Sequence, residues 1–376
     1  VTTILRPEDY GATVGAADST EAFRRLFAEI AKRSRRDPGG DRLQTPVIIE
    51  LSGQYTVSGA ISFAAASRTQ GITVRGAGKR TSEIVMTGAE PLFTNPDTAM
   101  GVRFYDCSFR STNPKASFLY SSSTGGAQDW GFTNCEWRGT WRYGIGLDGP
   151  PDKSNCNSEW YFDHCHINGS YDVAWLWSGM TPTIKQQDQF LNFSLRDCKV
   201  EFEYGDALRF DRGGSIVVSG GSWIIKGVRP DGGPSRFFNF PAPPTPHADS
   251  VQSLLVEGVR FEPRKPMNLV IESAWKGQIT FLSCLDDAWA YQPQSAADSY
   301  APHRYFNPGG VRYQGCQLTG RHRVTQTDPP SRQAIVYDQC ARTVASRRTK
   351  AAFLDLQGAY ASSIRISHRD DRDGIT

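Results

Sequence analysis

One short phrase recurs down this chain: an apolar or aromatic residue, a spacer, a second apolar residue, two spacers, a cysteine, a spacer and, usually, another apolar residue. It reads Val102, Phe104, Cys107, Phe109, then Trp130, Phe132, Cys135, Trp137, then Trp160, Phe162, Cys165, Ile167, then Phe193, Leu195, Cys198, Val200. With the cysteine replaced it continues at Gly221 and Val259, and cysteine returns at Cys284, Cys316 and Cys340. Successive anchors lie 28, 30, 33, 23, 38, 25, 32 and 24 residues apart. A constant phrase at a variable period describes coils whose loops differ in length while their strands do not, which is the signature of a solenoid.

Within the phrase the apolar spacing is two, so one face of a strand points inward, and the spacers before the anchor fit a bend between two short strands. Asp106, Asn134, Asp197, Gly220, Gly258 and Gly315 immediately precede the anchor, and Asn, Asp and Gly best tolerate left-handed backbone. Residues two apart do not share a helix face, and Val, Ile, Phe, Tyr and Trp favour strands. The sequence therefore predicts an all-β chain wound as a single-stranded right-handed parallel β-helix, each coil resting ~4.8 Å above the last.

With 376 residues, 39% hydrophobic and 22% charged, such a solenoid can bury a large core without splitting into domains. A net charge of +3 and the lack of a basic stripe interleaved with aromatics give no case for nucleic acid as a partner. No run of about 18 apolar residues marks a membrane span, and no secretory leader pattern is seen at Val1. All cysteines except Cys156 share one slot of the repeat. They are expected to stack as buried free thiols, in poor geometry for disulfides, with Cys156 the exposed one. No Cys-x-x-Cys pair or zinc-type His spacing exists, so neither metal nor cofactor is expected. Unpaired thiols fit folding in a reducing compartment.

Asp18, Ser19 and Glu21 precede Ala22, Phe23, Leu26, Phe27, Ile30 and Ala31, which predicts a capped amphipathic helix over 20–33 that closes the first coil. Around it stand Asp9-Tyr10-Gly11-Ala12, Val47-Ile48-Ile49-Glu50-Leu51, Gly53-Gln54-Tyr55 and Ile72-Thr73-Val74-Arg75-Gly76. Over residues 7–80 this order resembles the opening of the pectate-lyase-like superfamily, which includes phage tailspikes and secreted polysaccharide-degrading enzymes. Tyr10 stands where that family commonly has Phe, and Leu51-Ser52-Gly53 where it has Pro-Ala-Gly. The resemblance implies the fold. It carries lyases, hydrolases, epimerases and inert rods alike.

The repeat also points to a site. Positions ten and twelve beyond an anchor are apolar (Ile145 and Leu147, Trp175 and Trp177, Leu208 and Phe210, Leu269 and Ile271), so the thirteenth should face outward. That residue is Tyr120, Asp148, Ser178, Asp211 or Glu272, and Phe237-Phe238-Asn239-Phe240 offers Asn239 to the same row. Asp148 and Asp211, or Asp211 and Glu272, would stand ~9 to 10 Å apart, near the upper end for an inverting glycosidase and too long for a retaining pair. Trp141, Tyr143, Tyr171 and Trp223 flank the column as candidate stacking surfaces for sugar rings. Ordinary solvated acids give the same column by chance.

Arg209, on the same face as Asp211, is the candidate base for lyase chemistry. Ser178 has no matching His or Asp to make it a nucleophile, which leaves it a binding role. Glu201, Glu203 and Asp206 could hold a cation with Asp211, as the resemblance to calcium-using lyases implies, although their spacing matches no dedicated calcium loop. Asp286 falls in a slot that is apolar in most coils, so the coil is distorted there or a charge is buried; the long irregular loop that follows favours distortion.

Two insertions break the winding. Residues 228–250 are rich in Pro and Gly, and 288–308 carry Trp289, Tyr291, Tyr300, Tyr305 and Phe306. The aromatic one is either a recognition surface or a contact with a neighbouring subunit. The chain reads as a capping region and first coils over 1–80, a helix body over 81–345, and closing strands with a charged tail over 346–376. The functional expectation is a phage tail-associated, tailspike-like protein, folded in the host cytoplasm and carried in the virion. It would bind a host cell-surface polysaccharide and hydrolyse it with Asp148, Asp211 or Glu272, using Trp141, Tyr143, Tyr171, Ser178, Arg209 and Asn239 to hold the glycan. The resemblance implies a homotrimer, with other tail proteins as further partners. Alternatives are a non-catalytic structural or adhesive tail protein and a secreted bacterial polysaccharide lyase.

Overall fold

The computed structural model describes residues 2–33, 35–36, 43–63, 69–95, 99–121, 127–148, 157–178, 192–211, 214–242, 253–287, 300–329, 334–342 and 353–369. Cys156, Trp289, Tyr291, residues 243–250 of the Pro-rich insertion and the end of the charged tail lie outside the described residues. The chain divides into two compact units, Val1–Ser194 and Leu195–Thr376.

Each coil of the first unit feeds three parallel sheets. One stacks Thr3–Leu5, Leu43–Leu51, Thr69–Gly76, Ala99–Tyr105, Ala127–Thr133 and Trp160–Asp163 in chain order. The second stacks Gln54–Val57, Glu83–Met86, Ser108–Ser111 and the first parts of the long strands Glu136–Asp148 and His166–Ser178. The third stacks Ile61–Ser62, Pro91–Thr94, Ser117–Ser121 and the later parts of those long strands. A two-residue strand, Arg35–Arg36, joins the first sheet antiparallel.

The second unit repeats the scheme. Ser215–Ser219, Ser253–Glu257, Gln278–Leu282, Gly310–Gln314, Ala334–Asp338 and Arg365–Arg369 form one ladder. Asp206–Phe210, Arg236–Phe240, Leu269–Ser273, His303–Phe306, His322–Thr325 and Leu354–Gln357 form another, with short strands such as Ser222–Ile225 and Arg260–Pro263 between them. This is the all-β parallel β-helix that the repeat predicts.

The bend before each anchor is where sequence dictates geometry. Asp106, Asn134, His164, Asp197, Gly220, Gly258, Ser283, Gly315 and Gln339 all have positive φ, from 49° at Asp197 to 68° at Gly220. The next residue turns inward. Cys135, Cys165, Cys198, Cys284, Cys316 and Cys340 each donate a thiol hydrogen bond at 3.4–3.5 Å to the carbonyl two residues back, across the bend. A cysteine is small enough for that corner, apolar enough to be buried, and still a weak donor. All seven described thiols are buried and free, and the sulfurs of Cys107 and Cys135 lie 3.9 Å apart.

Inside the coils, aromatic rings continue the stacking. Phe104, Phe132 and Phe162 are nearly parallel at 4.8 and 5.0 Å in the first unit. Phe281, Tyr313 and Tyr337 do the same at 5.0 and 5.3 Å in the second. Each buried ring contributes roughly 1.5–3 kcal/mol through removal from water.

The predicted cap is the helix Thr20–Arg33. Asp18 accepts from the Thr20 backbone N–H at 2.9 Å and from Ser58 at 2.7 Å. Burial works against its charge, but those hydrogen bonds outweigh it and hold the carboxyl below its ordinary range. Phe23 packs edge-on against Tyr55 at 5.5 Å and Phe27 against Phe63 at 5.0 Å, sealing the first coils. Buried Tyr55 donates to Glu8 at 2.6 Å, tying the Gly53-Gln54-Tyr55 turn to the N-terminal segment.

Asp286 corrects the expectation of a distorted coil. It lies in a regular strand, Leu285–Asp286, and is 1% exposed. Its Oδ2 sits 3.0 Å from Nε2 of the equally buried His303, whose Nδ1 meets the Tyr313 hydroxyl at 2.9 Å. The partner lies 17 residues away, so neighbouring sequence gives no hint that the charge is answered inside the core.

Candidate functional site

In the first unit the observed register pairs Tyr120 with Gly146, and Asp148 with Ser178. Tyr120 is therefore two positions out of the Asp148 row. The cause is the corner between the second and third sheets: Ser117, ten residues beyond Cys107, pairs with Tyr143, eight beyond Cys135. The side chains of Asp148 and Ser178 lie outside the described residues. Tyr143 is partly exposed, with the Arg142 guanidinium 4.8 Å from its ring centre.

Trp141 and Tyr171 are corrected as stacking surfaces, since both are 1% exposed. They are in register with one another just beyond the bends at Gly139 and Gly169, whose φ values are 88° and 99°. The Trp141 indole N–H donates to the Arg138 carbonyl at 2.9 Å and the Tyr171 hydroxyl to the Asn168 carbonyl at 2.7 Å. Each ring tucks under its corner, satisfying a carbonyl the bend would otherwise leave buried. Trp223 is likewise fully buried, stacked on Phe238 at 5.2 Å.

The second unit brings several predicted residues together. Arg209 pairs with Asn239, Asn239 with Glu272, Glu272 with Arg304, Arg304 with Arg323 and Arg323 with Asp355, one outward row over successive coils. Asp211 does not belong to that row. It follows the strand Asp206–Phe210, two residues past Arg209. The corner leading to Glu272 is two residues longer than the one leading to Arg209, so a constant count from the anchor selects the wrong residue.

Beneath the row lies Asp206, 3% exposed. Its Oδ2 accepts from the Asn239 amide at 2.7 Å and its Oδ1 from Arg236 at 3.2 Å, with Arg229 3.6 Å away. Burial pushes its carboxyl above the ordinary range despite these partners. Arg236 also donates Nε to Glu272 at 2.7 Å. One guanidinium thus joins a buried carboxyl to a surface one, and Asn239 is fixed from the same buried acid. Sequence reasoning considered Asp206 only as a cation ligand and passed over Arg236, although it opens the Phe-Phe-Asn-Phe strand already singled out.

The suggested cation cluster does not converge. Glu201 lies 2.5 Å from Lys199, Glu203 lies 2.9 Å from Lys226, and Asp206 turns to the arginines. Among the described residues no group of three or more His, Cys, Asp or Glu side chains is placed to hold a metal ion.

The first unit also hides two acids that sequence gave no reason to choose. Glu83 is fully buried and accepts from Arg138 at 2.6 Å and Gln54 at 2.6 Å. Glu136 receives both arms of Arg80 at 2.7 and 2.8 Å and sits 3.3 Å from His166. Burial opposes its charge, yet Arg80 and His166 outweigh it and lower the carboxyl to about 2. Arg80 belongs to the loop after Gly76, whose Lys79 reaches the His164 carbonyl at 2.8 Å. These pairs strap the loop across neighbouring coils.

No protein-family model and no curated protein sequence matches this chain. Solved structures do. The ORF18 protein of Geobacillus virus E2 matches over 98% of this chain and 61% of its own, with a TM-score of 0.50 and 13% identity. The Agl-KA catalytic domain matches over 97% of this chain and 68% of its own, with a TM-score of 0.50 and 10% identity. The tailspike protein of Acinetobacter phage vB_ApiP_P1 matches over 97% and 59%, with a TM-score of 0.44 and 12% identity. The chain spans about three fifths of each of the two viral proteins. At these identities the likeness shows the fold: this is a parallel β-helix protein.

Proposed function

We propose that this chain is a tailspike-like, phage tail-associated protein that binds a host surface polysaccharide along the outer row of the second unit. The observation that carries the reading is the in-register series Arg209, Asn239 and Glu272, with Asn239 held from below by Asp206 and Glu272 by Arg236. Coils advance by ~4.8 Å, close to the advance of one sugar in an extended glycan, so each coil offers a planar hydrogen-bonding group to successive residues of the ligand. Because the buried acid fixes Asn239 and Arg236, little side-chain freedom remains to be lost on binding. The shared fold with a protein of Geobacillus virus E2 supports a viral setting. In this reading the protein works as a homotrimer beside other tail proteins, and Asp148, Asp211 and Glu272 remain the acids to test for cleavage.

The test is binding to purified capsular and lipopolysaccharide glycans of candidate hosts. Wild type should be retained, and Asn239→Ala with Glu272→Gln should weaken retention by about tenfold or more. Failure to retain any glycan would remove the reading. Following reducing ends and unsaturated uronates in the same samples separates hydrolysis, elimination and binding without cleavage.

A further inference from the structure

The outer row of the second unit carries an unusual order of charge. From Glu272 through Arg304 and Arg323 to Asp355 it runs negative, positive, positive, negative on consecutive strands. Like charges directly opposite one another on neighbouring strands oppose pairing. The flanking acids do not cancel this repulsion evenly. Glu272 sits 2.7 Å from Arg236 but 3.8 Å from Arg304, and Asp355 takes the Nε of Arg323 at 2.8 Å. Arg304 donates its Nε to the Ala301 carbonyl at 3.1 Å, which fixes the guanidinium plane. Its terminal nitrogens have no hydrogen-bond acceptor among the described residues. Burial, together with Arg323 and Arg236 nearby, makes its charge harder to keep, only partly offset by Glu272.

A second observation lies beside the first. In the strand His303–Phe306, His303 and Tyr305 point into the core at 1% exposure each, so Arg304 and Phe306 share the outer face. Phe306 is 40% exposed, an uncovered ring about 7 Å along the strand from Arg304. Its neighbour in the next coil is Thr325, too small to cover it. An apolar ring face and the under-compensated Arg304 guanidinium beside that of Arg323, one pyranose apart, match a sugar that carries a carboxylate.

We infer that Phe306, Arg304 and Arg323 form a subsite for a uronic acid residue, the pyranose stacking on Phe306 and its carboxylate bridging the two arginines. The inference rests on the glycan-binding reading and narrows it to acidic polysaccharides. The bound carboxylate supplies the negative charge that the centre of the row lacks and can accept paired N–H donors from a guanidinium.

Ligand-observed saturation-transfer NMR on the whole chain tests this with methyl glucuronoside and methyl galacturonoside as probes. Methyl glucoside, methyl galactoside and sulfate are the controls. At least one uronoside should bind about tenfold more tightly than its neutral counterpart. Arg304→Gln should remove that preference, Phe306→Ala should abolish transfer to the ring protons, and Phe306→Tyr should restore it. Equal binding of acidic and neutral sugars would overturn the acidic assignment while leaving glycan binding intact. Sulfate competing fully, with Phe306→Ala silent, would reduce the site to an adventitious anion site and overturn it. No transfer from any sugar would also overturn it, and the fate of the wider reading would then rest on the host-glycan assay. Phe306 is exposed and Arg304 half-buried, so unchanged circular dichroism will separate these effects from misfolding.

Discussion

Arg236 links Glu272 to Asp206, with its Nε 2.7 Å from the surface carboxylate and its Nη1 3.2 Å from the buried one. Removing the guanidinium leaves the core acid with only Asn239 and the more distant Arg229, and the surface one with Arg304 at 3.8 Å. Arg236→Gln should therefore cost about 2–3 kcal/mol of unfolding free energy by urea titration, and weaken glycan retention more than Arg229→Gln does. Equal loss of stability in the two variants would show that Arg236 has no special place.

Asp206 gives a pH signature with a defined sign. Its carboxyl is raised in the folded protein, so the native state holds the proton more tightly than the unfolded chain does. Its contribution to stability is therefore greatest in acid and falls as pH rises through the raised value. Asp206→Asn should flatten that part of the stability profile, as read by thermal midpoints between pH 4 and pH 7. A profile unchanged by the substitution would refute the assignment.

Glu136 works the opposite way. Lowered from 4.5 to about 2, its stabilisation is present above pH 4.5 and is lost as pH falls toward 2. Because the paired Arg80 is 57% exposed, solvent screening reduces the gain to about 1–2 kcal/mol. Glu136→Gln should lower stability at pH 7 by that amount and make the first unit less sensitive to acid between pH 4.5 and 2. Denaturant midpoints of the two proteins at pH 7 and pH 3 would check it: the gap should narrow in acid.

The thiol spine predicts silence toward reagents. Cys107, Cys135, Cys165, Cys198, Cys284, Cys316 and Cys340 are all buried, so none should react with an aromatic disulfide reagent until the chain is unfolded. Mass spectrometry after brief native labelling would find them unmodified. Labelling of Cys135 or Cys316 in the native protein would contradict the stacking.

Gln339 occupies the left-handed bend with φ of 53°, a conformation that costs most side chains about 1–2 kcal/mol. Gln339→Gly should raise stability by up to about 1 kcal/mol after its larger loss of chain entropy. A lower thermal midpoint would mean that the side chain has a role beyond the turn.

The winding was legible because its cause is local. An apolar alternation and a bend residue followed by cysteine fit within eight residues, and the same steric rule acts in every coil. His164, Ser283 and Gln339 show that tertiary stacking imposes the left-handed bend even where the residue type does not announce it. The outer row was less legible, because its register depends on corner lengths that differ by two residues between coils, so Arg209, Asn239 and Glu272 align while Asp211 falls outside. Trp141 and Tyr171 misled because an aromatic just after a glycine bend turns inward to serve a carbonyl. The tie between Asp286 and His303, and that between Glu136 and Arg80, join residues distant in sequence, which a linear reading does not bring together.

Since the bend before each anchor from Cys107 to Cys340 has its own positive-φ residue and, at seven of the nine, its own buried thiol, its closure is local to the coil. An excursion between corners can be lengthened, shortened or exchanged without rewinding the turns on either side. The scaffold can therefore hold its pitch while the surfaces it displays are rewritten piece by piece.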